Sequence, residues 1–254
     1  MLRGRATPVA QPHAALLDNL FRRGLPPVPA QSDWLAGLKQ HPTFGNLYLG
    51  DCTWAAQANR IRISTLHAWG EEYVLPDQVI EDGFLRMTNG DKSGGLRTTD
   101  VLTHFSSTLL PFPGRQYSEI LRGWVAVDET DVMKRRLGVA YFKGGSLGMR
   151  LPKVAEVLFQ EGKPWDIPKG QALTGEWEPQ PDDGHEVWAA AQDADGLGLI
   201  TWGQPVYATN AWLDAYADEF YVCVSPLLFE TDGLTPEHLD LDYLDQCMTK
   251  IKES

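Results

Sequence analysis

Cysteine is scarce in this chain, and that scarcity limits how the fold can be stabilised. Only Cys52, Cys223 and Cys247 occur among 254 residues. Three cysteines are too few for a disulfide framework, and an odd number leaves at least one thiol free. A reducing compartment is the simplest setting for such a chain. The core must therefore come from apolar burial, for which 43% hydrophobic residues are sufficient.

Basic residues are also in deficit. The chain has 22 Lys and Arg against 34 Asp and Glu, a formal net charge of −12. Binding to nucleic acid or to an anionic membrane needs a basic surface, so neither partner is expected. No run of 18 apolar residues predicts a membrane span. The first twelve residues, MLRGRATPVAQP, lack the apolar stretch of a secretory signal.

Metal-binding patterns are missing too. No Cys and His cluster has the spacing of a zinc site. Asp193-Ala-Asp195-Gly196 begins like a calcium loop, but no glutamate follows at the twelfth position, so a hairpin turn is predicted instead. We expect neither a metal nor another cofactor.

Three regions differ in composition. Residues 1–45 are rich in proline and are predicted to form an N-terminal arm that packs on its own domain or on a neighbouring subunit, and that can carry contacts to protein partners. Residues 46–230 mix helical and strand patterns and are predicted to form one α+β domain. Residues 231–254 are predicted to end in a helix with Tyr243, Leu244 and Ile251 facing inward.

Within the domain, apolar spacing predicts elements of both kinds. The predicted helices are Cys52–Trp69, Thr98–Phe105, Thr130–Lys143 and Thr209–Asp218, with a short helical turn at Asp77–Ile80 and a further short helix in the arm around His13–Arg23. The predicted strands are Leu121–Val127, Ser146–Leu151, His185–Gln192, Leu199–Trp202 and Glu219–Val224. Two apolar stripes on Cys52–Trp69 indicate a helix that is buried on most sides.

One segment has the features of a nucleophile site. In Asn46-Leu-Tyr-Leu-Gly50-Asp51-Cys52, a cysteine stands where a loop becomes a helix. The positive end of a helix lowers a thiol pKa and favours the thiolate. Gly50 permits a tight approach, and the Asn46 amide can act with backbone N–H groups as an oxyanion donor.

A second segment supplies a base. His185 follows Gly184 and opens an apolar strand, 133 residues after Cys52 (185 − 52). In papain-type enzymes the histidine follows the cysteine by about 130–150 residues. The order and spacing predict that Cys52 and His185 lie together. Taken singly, each is more often a buried structural residue, and Cys223 and Cys247 are interpreted as packing residues.

These segments resemble the papain-like cysteine peptidases. Gly50-Asp51-Cys52-Thr53-Trp54 is similar to their cysteine motif, Gly184-His185 to their histidine motif, and Thr201-Trp202-Gly203 to the end of their Asn-Ser-Trp-Gly motif. The layout is closer still to a group of poorly characterised phage and bacterial proteins with a Gly-Asn-x-x-x-Gly-Asp-Cys-Thr motif. The resemblance covers roughly residues 44–229.

The resemblance implies a fold and a set of roles. The fold is α+β and papain-like, with a long buried helix starting at Cys52 and packed on an antiparallel sheet that carries His185. Cys52 is implied as nucleophile, His185 as base and Asn46 as oxyanion donor. The implied substrate is a peptide or a peptidoglycan-like crosslink. The expected location is cytoplasmic, or the virion if a phage encodes the chain.

One departure leaves the function open. Ile200 stands two residues before Trp202, where papain-like enzymes have the asparagine that orients the histidine. Isoleucine cannot accept a hydrogen bond, so Asp183, Gln204 or Asn210 must replace it, or the pair works unassisted. The alternative is a non-catalytic structural protein, such as a phage virion component, that keeps the fold as a scaffold. Gly144-Gly-Ser146-Leu-Gly148 matches the G-x-S-x-G pattern, but a strand continues where a serine hydrolase needs a helix.

Overall fold

The computed structural model describes residues 4–180, 184–229 and 239–253. The helices are α1 Leu17–Leu20, α2 Cys52–Trp69, α3 Asp77–Met87, α4 Thr98–Phe105, α5 Val132–Phe142, α6 Val154–Gln160, α7 Asn210–Tyr216 and α8 Leu241–Glu253. The strands are β1 Ala15–Leu16, β2 Ser32–Asp33, β3 Leu110–Pro111, β4 Ser118–Glu119, β5 Gly123–Val127, β6 Gly145–Met149, β7 His185–Gln192, β8 Gly196–Thr201, β9 Gln204–Thr209 and β10 Ala217–Val224. None of the helices in this part of the chain has the length and apolar character needed to cross a bilayer.

A mostly antiparallel sheet forms the centre of the fold. Its strand order is β1-β5-β10-β6-β7-β8-β9, with β2 paired to β7 and β3–β4 forming a separate two-stranded sheet. β1 pairs with β5 in parallel, and the other pairs are antiparallel. α2 packs against β6, β7 and β8. The predicted α+β architecture, a buried helix from the cysteine on a sheet with the histidine, is confirmed.

The helix α2 is buried on every side through its first fourteen residues. It has no exposed face from Cys52 to Thr65, and it ends where Gly70 adopts a left-handed φ of 73° and donates its N–H to Leu66. Glycine takes that conformation without the cost that a Cβ imposes. Such burial is tolerable only if the polar side chains of the helix are paired.

Internal partners supply that pairing. Arg60 forms a two-pronged ion pair with Glu119, with N···O distances of 2.9 and 3.0 Å, and both side chains are about 2% exposed. Gln57 donates to Ser146 on β6 at 2.7 Å. Arg62 pairs with Glu72 at the far end of the helix. These contacts fix the rotation of α2 about its axis and thereby the direction in which Cys52 points.

The N-terminal arm lies on its own domain. Its residues form β1, β2 and α1, and Phe44 at its end is fully buried. Farther up the arm, Arg5 bridges to Leu96 on one side and to Gly184 on the other. Within this single chain the arm packs on its own domain, and contacts to a neighbouring subunit stay a prediction.

Several element boundaries differ from those predicted. The turn at Asp77–Ile80 extends into the full helix α3, and the predicted helix around His13–Arg23 shortens to α1. α6 and β9 had no prediction. The Thr235 start of the last helix lies outside the described residues. Asp193 accepts the N–H groups of Asp195 and Gly196, the hairpin turn that was preferred over a calcium loop.

The Arg60–Glu119 pair provides a test of how α2 is held. Glu119→Gln keeps the side-chain shape but leaves the buried Arg60 charge uncompensated, so we expect a loss of about 3–5 kcal/mol in the free energy of unfolding. The matched control is Asp245→Asn, which breaks the exposed pair of Arg122 and Asp245 and is expected to cost less than about 1 kcal/mol. Urea unfolding of both variants measures the difference. Equal losses would contradict the role given to the buried pair.

Candidate active site

Cys52 is the first residue of α2, and its sulfur faces β7. The side chain is fully buried. The backbone N–H groups of Glu186 and Gly4 donate to the sulfur. Because Glu186 follows His185, the thiol lies beside the backbone of the predicted base. Two segments far apart in sequence, one at a helix start and one at a strand start, therefore meet here. The separation of the sulfur and the imidazole stays a prediction.

His185 is held by the turn that ends β8. Its Nε2 lies 2.7 Å from the Thr201 hydroxyl, and its ring stacks on Trp202 with centroids 4.5 Å apart at 24°. The indole shields the imidazole, and the hydroxyl fixes its orientation. When Nε2 carries the ring hydrogen and donates it to this hydroxyl, Nδ1 is the basic nitrogen.

Thr201 holds a ring nitrogen of His185, and sequence reasoning missed it. Ile200 pairs with Trp188 and Pro205 inside the sheet and is buried. Trp202 has a positive φ of 45°, so the chain turns sharply after Thr201. The sequence motif placed the histidine's partner two residues before Trp202, which assumes an uninterrupted strand. Because the chain turns at Trp202, the residue directly before the tryptophan contacts the histidine instead. The only available signal was a hydroxyl next to Trp-Gly.

The three candidates considered for this role fare differently. Asn210 donates to Ala194 and accepts from Arg135, so its amide is used elsewhere. Gln204 is an exposed residue of β9. Asp183 lies outside the described residues.

Asn46 is buried next to the helix start. Its Nδ2 donates to Asp51 Oδ1 at 3.2 Å. An amide nitrogen has a second hydrogen, so the oxyanion role remains a prediction. This bond ties Asn46 to the residue immediately before Cys52, and Gly45 is needed there because a Cβ would lie 2.8 Å from Asp51 Oδ2.

Burial dominates the electrostatics of the site. The pKa of Cys52 is raised to about 12 by desolvation, with the Glu186 carboxyl adding to the rise and the N–H groups of Glu186 and Gly4 opposing it. The expected lowering of the thiol pKa by the helix start is therefore outweighed. Cys52 is a neutral thiol in this arrangement. Desolvation likewise raises the pKa of Asp51 to about 8, against the opposing Asn46 bond.

The arm covers the sulfur. Gly4 approaches Gly50 so closely that a Cβ would lie 1.7 Å from the Gly50 carbonyl oxygen. The Arg5 N–H donates to the Gly184 carbonyl at 3.0 Å, the Ala6 N–H donates to Leu96 at 2.9 Å, and the Leu96 N–H donates to Gly4 at 2.9 Å. Residues 4–6 therefore lie in a cleft whose walls are the loop at Leu96 and the start of β7, beside the start of α2. The sequence showed no sign of this, because a proline-rich arm has no periodicity that indicates where it docks.

Two other motifs from the sequence can be located in the structure. No group of three or more His, Cys, Asp or Glu side chains within residues 4–180, 184–229 and 239–253 is arranged to hold an ion. Ser146, from the G-x-S-x-G match, is buried in the middle of β6 and accepts from Gln57. It therefore packs against α2 and is not exposed on an elbow.

Comparison with solved structures places the fold. The chain is similar to xylellain, a cysteine protease from Xylella fastidiosa, with a TM-score of 0.64 and 13% identity over 87% of this chain and 95% of that one. It is also similar to digestive procathepsin L 3 of Tenebrio molitor, with a TM-score of 0.55 and 12% identity over 87% and 76% of the two chains. A third likeness is to the ragweed cysteine protease Amb a 11 in its proform, with a TM-score of 0.56 and 15% identity over 79% and 67%.

The fold is therefore papain-like. No protein-family model and no curated protein matches the sequence. At these identities the likeness concerns the backbone arrangement alone, and the chemistry has to be argued from this chain's own residues.

The Thr201 hydroxyl can be tested by substitution. Thr201→Val removes the partner of a buried ring nitrogen, and we expect a loss of about 1–3 kcal/mol in the free energy of unfolding. Thr201→Ser keeps the hydroxyl and is expected to lose less than half of that. Chemical denaturation of the two variants measures it. Equal losses would mean that the methyl group, and not the hydrogen bond, matters.

Asp51 generates a prediction about pH. Its folded pKa of about 8 lies above the unfolded value of 3.8, so between these values the folded chain keeps a proton that the unfolded chain releases. Its contribution to stability is thus lost as pH rises through this window, by at most about 1.4 kcal/mol per pH unit. The side chain of Asp51→Asn stays neutral at every pH, so the free energy of unfolding of the variant should rise relative to that of the native chain between pH 5 and pH 8.

The control for this effect is Asp245→Asn. The pKa of Asp245 is lowered by its bond to Arg122, so the carboxylate is ionised in both states throughout the window. Its difference from the native chain should not change with pH. A constant difference for Asp51→Asn as well would mean that the buried carboxyl is ionised in the fold.

Proposed function

We propose that this chain is a cysteine hydrolase of peptide or amide bonds, with Cys52 as nucleophile and His185 as base. The observation that carries the proposal is the meeting of the Cys52 sulfur with the backbone next to His185, on a papain-like fold. The imidazole is also held by Thr201 and Trp202 in the manner that a base requires.

The chemistry follows from these positions. His185 takes the thiol proton of Cys52, and the sulfur attacks the acyl carbon to form an S–C bond. The C–N bond then breaks, and the amine leaves with the proton from His185. Water, deprotonated by His185, attacks the thioester to release the acid and restore the thiol. The oxyanion is stabilised by the free N–H groups at the start of α2 and by the Asn46 amide.

The covered state is inactive. A neutral thiol with a pKa near 12 is not a nucleophile at neutral pH, and the arm occupies the place where an acyl group must approach. Residues 4–6 therefore have to leave before substrate enters. Once they leave, water reaches the site, the desolvation that raises the thiol pKa is relieved, and the helix start favours the thiolate.

A second candidate is a non-catalytic structural protein, such as a phage virion component, that keeps the fold as a scaffold. The observation in its favour is the same buried and protonated thiol, which suits a packing residue as well as a latent nucleophile. The two candidates differ in what happens to Cys52 when the arm is loosened.

Thiol alkylation separates the candidates. Arg5→Ala removes the anchor of the arm, so we expect Cys52 of the full chain to react with iodoacetamide at pH 6 at least about tenfold faster than in the native chain. Adding His185→Ala should abolish the gain. The rate is measured residue by residue by mass spectrometry.

Cys223 provides an internal control. It is also buried, with a pKa raised by desolvation to about 12, and no histidine is assigned to it. Its rate should stay low in all variants unless the protein unfolds. Equal acceleration of Cys52 and Cys223, or acceleration of Cys52 that survives His185→Ala, would refute the hydrolase and leave the scaffold.

A further inference from the structure

Arg5 occupies a buried acidic pocket in the floor of the cleft. Its side chain is 1% exposed. Nη2 donates to both carboxylate oxygens of Asp218, at 2.7 and 2.8 Å, and Nη1 donates to Glu219 at 2.8 Å. A guanidinium is the side-chain group that can present separate nitrogens to two carboxylates at once. The pocket therefore fits the shape of a guanidinium as well as its charge.

A glycine makes room for this group. A Cβ at Gly148 would lie 3.0 Å from Arg5 Cζ and 2.5 Å from Glu219 Cγ. Any other residue at this position of β6 would place a side chain in the space that the guanidinium occupies. The space is thus built by the sheet and does not belong to the arm.

A further buried carboxyl group, that of Glu186, lies behind the pocket. Thr98 Oγ1 is 2.5 Å from Glu186 Oε2 and 2.6 Å from Glu219 Oε1. Glu186 is buried, and the hydroxyl groups of Thr98 and Ser146 both form hydrogen bonds with its carboxyl group. Arg150 lies at the partly exposed rim, with its Nε 3.7 Å from Asp218. Without Arg5, the pocket would hold an excess of negative charge away from water.

The backbone around Arg5 is also recognised. Gly184 accepts the Arg5 N–H, and Leu96 bonds to both neighbours of Arg5. These bonds involve main-chain atoms, so a different chain can make them. The walls of the cleft thus contact an extended peptide on both sides while the pocket holds its side chain.

We propose that the Asp218–Glu219 pocket is a recognition site for an arginine side chain of a peptide, which the arm fills with Arg5 and which a second peptide fills when the arm withdraws. This deepens the proposed function by naming an arginine-containing peptide as the substrate class, and it rests on that function for the catalytic outcome. The binding itself does not require a reactive thiol.

The test uses the full chain with Arg5→Ala, which empties the pocket and keeps its walls. The probe is the blocked tripeptide acetyl-Gly-Arg-Ala-amide, which copies residues 4–6. The matched probes replace arginine by citrulline, which has the shape without the charge, or by lysine, which has the charge without the fork. Calorimetry gives the dissociation constants, and thermal unfolding gives the stabilisation.

We expect the arginine peptide to bind the Arg5→Ala chain at least about tenfold more tightly than either matched peptide. The native chain should bind it weakly, because Arg5 competes. Adding Glu219→Gln or Gly148→Ala to Arg5→Ala should remove the preference, by charge and by bulk respectively. Equal affinity for the arginine and citrulline peptides, or a preference that survives Glu219→Gln, would overturn the proposal.

The design covers a variant that fails to fold. If Arg5→Ala is unfolded, the arginine peptide should restore folding where the citrulline peptide does not, and Arg5→Lys provides a folded chain with a single ammonium for the same titration. Absence of both effects overturns the proposal. Failure of the pocket leaves the His185-dependent alkylation of Cys52 intact, whereas failure of the hydrolase leaves arginine binding intact, so the two outcomes are distinguishable.

Discussion

The rest of the structure depends on burying α2 on all sides. A helix with Gln57, Arg60 and Arg62 inside can be buried only because each finds a partner on another element. These partners lie on β6, on β4 and in the segment after the helix, so they fix the axial rotation of α2. That rotation turns Cys52 toward β7. The position of the thiol is therefore set by polar contacts several turns away from it.

The same burial explains why the site is closed. A thiol at a helix start is expected to be acidic when water reaches it, but here water is excluded and the arm supplies a backbone N–H in its place. Desolvation outweighs the helix dipole because it acts on the whole charge of the thiolate, whereas the dipole contributes only partial charges. Exposure of the site, and not a change of residues, is what would restore the acidity.

Local sequence patterns predicted much of the secondary structure. The bounds of α2 and β7 follow from the sequence, because both have uninterrupted apolar patterns and clear starting residues. The meeting of Cys52 with the start of β7 followed from motif order. Thr201 and the docking of Arg5 did not follow, because each depends on a backbone turn or a long-range contact that leaves no periodic trace. The sequence predicted that the arm packs on its own domain or on a neighbouring subunit, but its prolines interrupt the periodicity that would have located the short strands.

One of the two acids that contact Thr98 is protonated, and this connects the arm to the thiol electrostatically. Thr98 has one hydroxyl hydrogen, yet its oxygen lies within hydrogen-bond distance of Glu186 and Glu219. One of the two contacts must then be donated by a protonated carboxyl. Glu186 fits, since burial raises its pKa to about 8, while the Arg5 charge acts on Glu219 as well and opposes the rise of both.

Withdrawal of Arg5 would therefore strengthen the hold of this pair on its proton. A neutral Glu186 does not repel a thiolate, whereas an ionised one raises the pKa of Cys52. Between withdrawal of the arm and binding of an arginine peptide, the empty pocket therefore favours a neutral Glu186. The cleft contains three carboxyl groups, and the thiol lies at the edge of the cleft. A thiolate can nevertheless form while the pocket is empty, because a neutral Glu186 does not repel it.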